Sequence, residues 1–125
     1  MTAFDPYFKA AGRALLSLLF IWGGVGKIMS YSGAQAYMAK SGVPGELLPL
    51  VILTELGGGL AILAGWQTRW VALALAGFCV LSAVIFHNEF GDRTQLIQFL
   101  KNLGLAGGFL VLAAAGPGAL SVDER

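Results

Sequence analysis

Five residues hold most of the chemistry that this 125-residue sequence offers: Lys27, Glu55, His87, Lys101 and Asn102. Each lies inside or at the edge of an apolar stretch, where an ionisable side chain is costly and points to a protein interior, a water-filled cavity or a function. A carboxylate and an ammonium in such surroundings are expected to pair, because either alone would sooner change protonation than stay charged. The simplest pair is Glu55 with Lys101. Lys27 is then a surplus cation, with the amides of Gln98 and Asn102 beside it and His87 able to exchange a proton near neutral pH. Unless Glu89 and Asp92 reach inward, the pocket is expected to be net positive. It would suit a small anion, a lipid headgroup or a quinone whose carbonyl oxygens need donors. His87 and Glu55 are the candidate catalytic groups, since proton exchange needs side chains that titrate within reach of water. Lys27, Glu55, His87, Lys101 and Asn102 form the candidate ligand-binding set.

Each of these residues also has a plainer explanation. Lys27 lies near a helix end and can snorkel to the interface. His87 and Asn88 can be the polar end of a helix, and Glu55 with Lys101 can be an ion pair that fixes helix register. Cys79, between Phe78 and Val80, reads as a packing residue. Trp22, Trp66, Trp70, Tyr31 and Tyr37 lie near span ends, where interfacial anchoring accounts for them. Other chemistries are excluded more firmly. One cysteine allows no internal disulfide or C-x-x-C redox pair, and one histidine allows no bis-histidine haem within the chain. A lone histidine with one carboxylate is too sparse for a metal site, so none is expected. A formal net charge of +1 gives no field to attract nucleic acid.

The elements that must position these residues follow from hydropathy. The chain is 57% hydrophobic and 12% charged, with a mean hydropathy of +0.75; soluble domains carry about a quarter charged residues. Four apolar segments, at about 13–30, 47–65, 68–88 and 95–115, have the ~20-residue length of a spanning helix. No period-two alternation suggests a barrel. The expected fold is therefore all-α: an integral membrane bundle of four transmembrane helices, antiparallel and up-down-up-down, in a single domain over 1–125. "SYSGAQAYMAKSGVPGE" between the first two spans has room for a short interfacial helix, closed by turn signals at Gly42, Pro44 and Gly45. Segment 14–25 reads as a retained first helix, with no small-x-small cleavage site after it.

Four spans put both termini on one side. Lys9, Arg13, Arg69 and Arg125 lie there, against Lys27, Lys40, Arg93 and Lys101 on the other. With Lys27 and Lys101 discounted as intramembrane, the positive-inside rule favours cytoplasmic termini. Small residues are expected to mark the helix contacts. Lys101 shares a stripe with Gly104 and Gly108, Glu55 with Gly58 and Gly59, Lys27 with Gly23 and Gly24, and His87 with Ala83. At ~1.5 Å per residue the four ionisable groups reach similar depth, in the half of the bilayer opposite the termini.

Taken in order, "GKI", "ELGGGLAILAG", "FH", "FLKNLGLAGG" and "GPGALSVD" resemble the DoxX family of small bacterial membrane proteins, over about residues 12–123. The resemblance implies a four-helix protein of the bacterial inner membrane and marks Lys27, Glu55, His87, Lys101 and Asn102. Some named members are linked to quinone-coupled thiosulfate oxidation or to membrane redox complexes. The expected function is therefore a membrane-embedded component of a redox system, with a quinone as candidate ligand or cofactor. The lipid bilayer, redox-protein subunits and a homo-oligomer are the candidate partners. A carrier for a small anion or lipid-like molecule and a non-catalytic assembly partner are the alternatives.

Overall fold

The computed structural model describes residues 2–124, and every regular element among them is helical. Helix α1 (Asp5–Met29) starts well before the apolar segment near residue 13. Asp5 and Pro6 explain the early start, since an acid in the first turn favours the dipole and proline there costs no hydrogen bond. A short helix α2 (Tyr31–Lys40) follows, as the loop length allowed, and ends where Gly42 takes a left-handed φ of +83°.

The second span is one continuous apolar helix over Gly45–Ala64, but its winding changes along the way. It enters as a 3-10 turn (Gly45–Leu47), becomes α3 (Leu48–Ile52), widens into a π-helical turn (Leu53–Gly57) and returns to α4 (Gly58–Ala64). Helices α5 (Thr68–Phe86) and α6 (Arg93–Ala115) complete four spans long and apolar enough to cross a membrane. Asp92 caps α6 by accepting from the Thr94 amide at 2.9 Å.

The core is apolar and largely aromatic. Phe20 of α1 meets Phe109 of α6 edge-on with centroids 5.4 Å apart, and Ile62, Ala72, Leu75, Ala76 and Ala106 close around them. Much of the outer surface is equally apolar: Trp22, Leu15, Leu18, Leu53 and Val111 are all exposed, as lipid-facing side chains must be. Close helix approach rests on glycines of the first two spans. A Cβ on Gly24 would lie 2.9 Å from the Leu56 Cβ and 3.1 Å from the Leu56 backbone nitrogen, and one on Gly59 would lie 2.9 Å from Ile21. Neither position tolerates a side chain without moving a backbone.

The expected small-residue stripe on α6 behaves differently. Gly104 is exposed and a Cβ there would meet nothing within 4 Å, while Gly108 meets only Leu16. The α6 face that packs inward is carried by Ala106, Phe109 and Leu112 instead. Burial of the bulky Phe109 against Phe20 decides the rotation of this helix, and the small residues fall beside it.

At the end of the bundle where α4 finishes and α1 starts, the segment after α6 folds back as a clamp. Arg13 is 2% exposed, and its guanidinium donates to the carbonyls of Ile62 (3.2 Å), Leu63 (3.0 Å) and Leu120. The first two carbonyls lie in the last turn of α4, where Ile62 also accepts from the Gly65 amide at 3.2 Å, so the cation sits at the negative end of that helix. Arg69 does the same for α6 through the carbonyls of Ala113 and Ala114. Asp123 accepts from the amides of Gln67 (2.7 Å) and Thr68 (2.9 Å) and caps α5 from 55 positions away. Arg125, counted above with the terminal cations, lies outside the described residues.

Candidate functional site

A cavity of about 400 Å³ opens toward the other end of the bundle. All four spans and α2 contribute to its wall. Residues one turn apart supply it from the long helices: Leu19, Gly23 and Lys27 from α1, and Gln98, Asn102 and Leu105 from α6. Helix α5 adds Phe78, Cys79, Ser82 and Phe86, with His87 just past its end. Helix α2 lies across one side, where Tyr37 stacks on Phe86 with centroids 5.4 Å apart and Met38 is buried.

The π-helical turn supplies Glu55, whose side chain is 10% exposed. Within that turn the Thr54 hydroxyl donates to the Leu50 carbonyl at 2.8 Å, a back-bond that bends helices. A π turn inserts one residue into the winding and so re-aims the side chains it carries, and such turns recur at functional sites. Glu55 Oε1 lies 2.7 Å from Lys27 Nζ, and the Lys27 side chain is 33% exposed. His87 Nδ1 and Gln95 Oε1 are 3.2 Å apart, which ties the α5 end to the first turn of α6.

Four of the five candidate residues, Lys27, Glu55, His87 and Asn102, line this one cavity, and Gln98 joins them. Lys101 does not. It is exposed on α6, and the carboxylate partner expected for it belongs to Lys27. The correction follows from helix geometry: consecutive side chains point ~100° apart, so turning Asn102 inward carries Lys101 off the wall. The expected net-positive pocket is corrected with it. Among the lining residues the fixed charges are one ammonium and one carboxylate, in contact, and the rest of the wall is largely aromatic or aliphatic.

Other contributors escaped the sequence reading. Tyr37 was assigned to the interface and Cys79 to packing, yet both line the cavity. Cys79 is buried, so both descriptions hold for it. Arg13 was counted only among the terminal-side cations and Asp123 was not singled out; the grip of each lies far along the chain, and no local pattern signals it.

Four apolar spans around a charge-balanced cavity define a multi-pass membrane protein with a ligand-sized site between its helices. The family model for DoxX matches residues 8–88. The chain belongs to the DoxX family. It is 55% identical over 112 residues to "Inner membrane protein YqjF" of Escherichia coli K12, covering 90% of this chain and 86% of the relative. It is 35% identical over 127 residues to "Inner membrane protein YphA" of the same organism, covering 96% and 91%. With four spans of its own and two relatives so named, it is an inner membrane protein set in a lipid bilayer. No solved structure matches it.

Proposed function

We propose that this protein binds a small neutral ligand with ring and carbonyl character, a quinone headgroup above all, as the membrane component of a redox system. The observation that carries the reading is the charge balance of the cavity. Lys27 is already neutralised by Glu55, so the site offers hydrogen-bond partners without net charge, between the aromatic walls of Phe78, Phe86 and Tyr37. A free anion would find no uncompensated cation there, which weighs against the carrier alternative. A neutral ring with acceptor oxygens gains stacking from the aromatic rings and hydrogen bonds from the amides of Asn102 and Gln98 and from the Lys27 ammonium.

Reduction of such a ring to its diol consumes two electrons and two protons. Glu55 and His87 are the groups placed to exchange the protons; the electrons come from a separate redox-protein subunit. The redox part of the reading rests on membership of the DoxX family. With spans that alternate in direction and termini in the cytoplasm, the cavity lies in the outer half of the bilayer.

Calorimetric titration of the purified protein in lipid nanodiscs with a short-chain naphthoquinone tests the binding step. Binding is expected to saturate at one ring per cavity and to weaken about tenfold or more in Asn102→Leu, since a lost hydrogen bond to a buried acceptor costs ~1–3 kcal/mol. Absence of saturable binding, or equal affinity in the variant, would defeat the proposal.

A further inference from the structure

We infer that Gly23 is a specificity-determining position: its missing side chain lets Glu55 close on Lys27, and this keeps the cavity uncharged and selects neutral over anionic ligands. The inference rests on the ligand reading above and adds the residue that sets the ligand's charge class.

A Cβ built on Gly23 would lie 2.7 Å from Glu55 Oε2, 3.7 Å from Glu55 Cδ and 3.9 Å from Lys27 Nζ. Gly23 and Lys27 share one face of α1, a turn apart. The Glu55 carboxylate therefore rests on the bare backbone of α1, with one oxygen over Gly23 and the other on the ammonium. The helices cannot separate to admit a methyl group there. One residue along, Gly24 is pressed against the Leu56 backbone, and Gly59 is pressed against Ile21 on the same interface. The collision at Gly23 instead meets the far end of a flexible side chain, so the carboxylate gives way and the fold does not.

Displaced from its seat, Glu55 leaves Lys27 with a looser partner, and the cavity acquires an exposed positive end. The other polar groups facing this chamber are Tyr37 from α2, Cys79, Ser82 and His87 from α5 and its end, and Gln98 and Asn102 from α6. None carries a fixed charge that could replace the lost neutralisation. Three of the four expected family positions in the cavity are charged or titratable, yet the selection among ligands is exercised by a residue with no side chain at all.

The test compares neutral naphthoquinone with naphthoquinone sulfonate, by calorimetry in nanodiscs, for the natural protein, Gly23→Ala, Glu55→Gln and Gly26→Ala. Gly26 is the control, because a Cβ there meets nothing within 4 Å. Infrared difference spectra against Glu55→Gln supply a readout that needs no ligand: the carboxylate stretch of Glu55. The natural protein and Gly26→Ala are expected to prefer the neutral ring by about tenfold or more. In Glu55→Gln the preference should vanish, and Gly23→Ala should fall between the two with a shifted carboxylate band. An unchanged preference with an unmoved band in Gly23→Ala overturns the inference while leaving the ligand reading intact. If neither ring binds but the band moves in Gly23→Ala alone, the ligand reading fails and the positioning role of Gly23 stands. Failure of both binding and band shift defeats both.

Discussion

The two members of the Lys27–Glu55 pair are not equal. The carboxylate is fixed on a π-helical turn at 10% exposure, whereas the ammonium sits near the end of α1 on a flexible stem and is 33% exposed. If Glu55 is replaced by Gln, the Lys27 ammonium, 33% exposed, stays hydrated where it is at the open side of the cavity. If Lys27 is replaced by Met, the carboxylate is left buried with no partner, a loss worth ~3 kcal/mol or more in enclosed sites. Lys27→Met should therefore lower the unfolding free energy in detergent by at least about 2 kcal/mol more than Glu55→Gln does. Reversible denaturation followed by circular dichroism measures the difference, and equal losses would contradict this account. The presence of charge in the spans was legible from composition, because an ion amid apolar residues is conspicuous. The choice of partner was not. It depends on a helix rotation set by Phe109 and on one extra residue of winding before Gly58, and neither leaves a mark in the spacing of polar residues.

Among the elements, the first two spans approach through glycine, whereas the buried faces of α5 and α6 carry alanines and Cys79 with Leu75, Phe109 and Leu112 between them. Gly24→Ala forces a methyl group to 2.9 Å from the Leu56 Cβ and 3.1–3.2 Å from the Leu56 backbone and should cost ~1–3 kcal/mol, the usual range for overpacking. Gly77→Ala on α5 meets nothing within 4 Å and should be neutral, or stabilising by up to ~1 kcal/mol through helix propensity. Thermal unfolding of the two variants side by side checks the contrast; similar shifts would mean that the contact between α1 and the π-helical turn is looser than described. The four apolar spans were readable from hydropathy, since length and apolar character are local properties, but the start of the first helix at Asp5, eight residues ahead of its apolar segment, was not. The π-helical turn was not, because "LTELG" has no composition that distinguishes it from an ordinary helical turn. The G-x-x-x-G of α6 was readable and misleading: glycines permit close approach, but packing elsewhere decides whether a neighbour takes it.

At the scale of the whole molecule, the segment after α6 ties the first helix to the middle of the chain. Asp123 lies outside the spans. Desolvation pushes its carboxyl up, but the nearby Thr68 hydroxyl, the amides of Thr68 and Gln67 and the Arg13 charge together hold it below the usual carboxylate value. A group whose folded value is depressed contributes stability above the unfolded value, and that stability is lost as pH falls through the folded one. Asp123→Ala should thus destabilise by about 1 kcal/mol near neutral pH, as loss of a helix cap does. The deficit should shrink only once the pH drops below the ordinary aspartate value of about 4. Unfolding midpoints measured from pH 7 down to pH 3 test this, and a deficit that fades near pH 6 would refute it. Nothing in the sequence announced this clamp, since a cap in trans leaves no local signature.

The grip of Arg13 on Leu120 also bears on how the protein is made. The two residues are 107 positions apart, so the arginine enters the bilayer with the first helix long before its last acceptor has been synthesised. Until then the guanidinium must be sheltered by water, lipid phosphate or the insertion machinery. Final closure of the bundle is therefore a late event of biogenesis, and a nascent chain interrupted ahead of Leu120 would present an unsatisfied cation to membrane quality control.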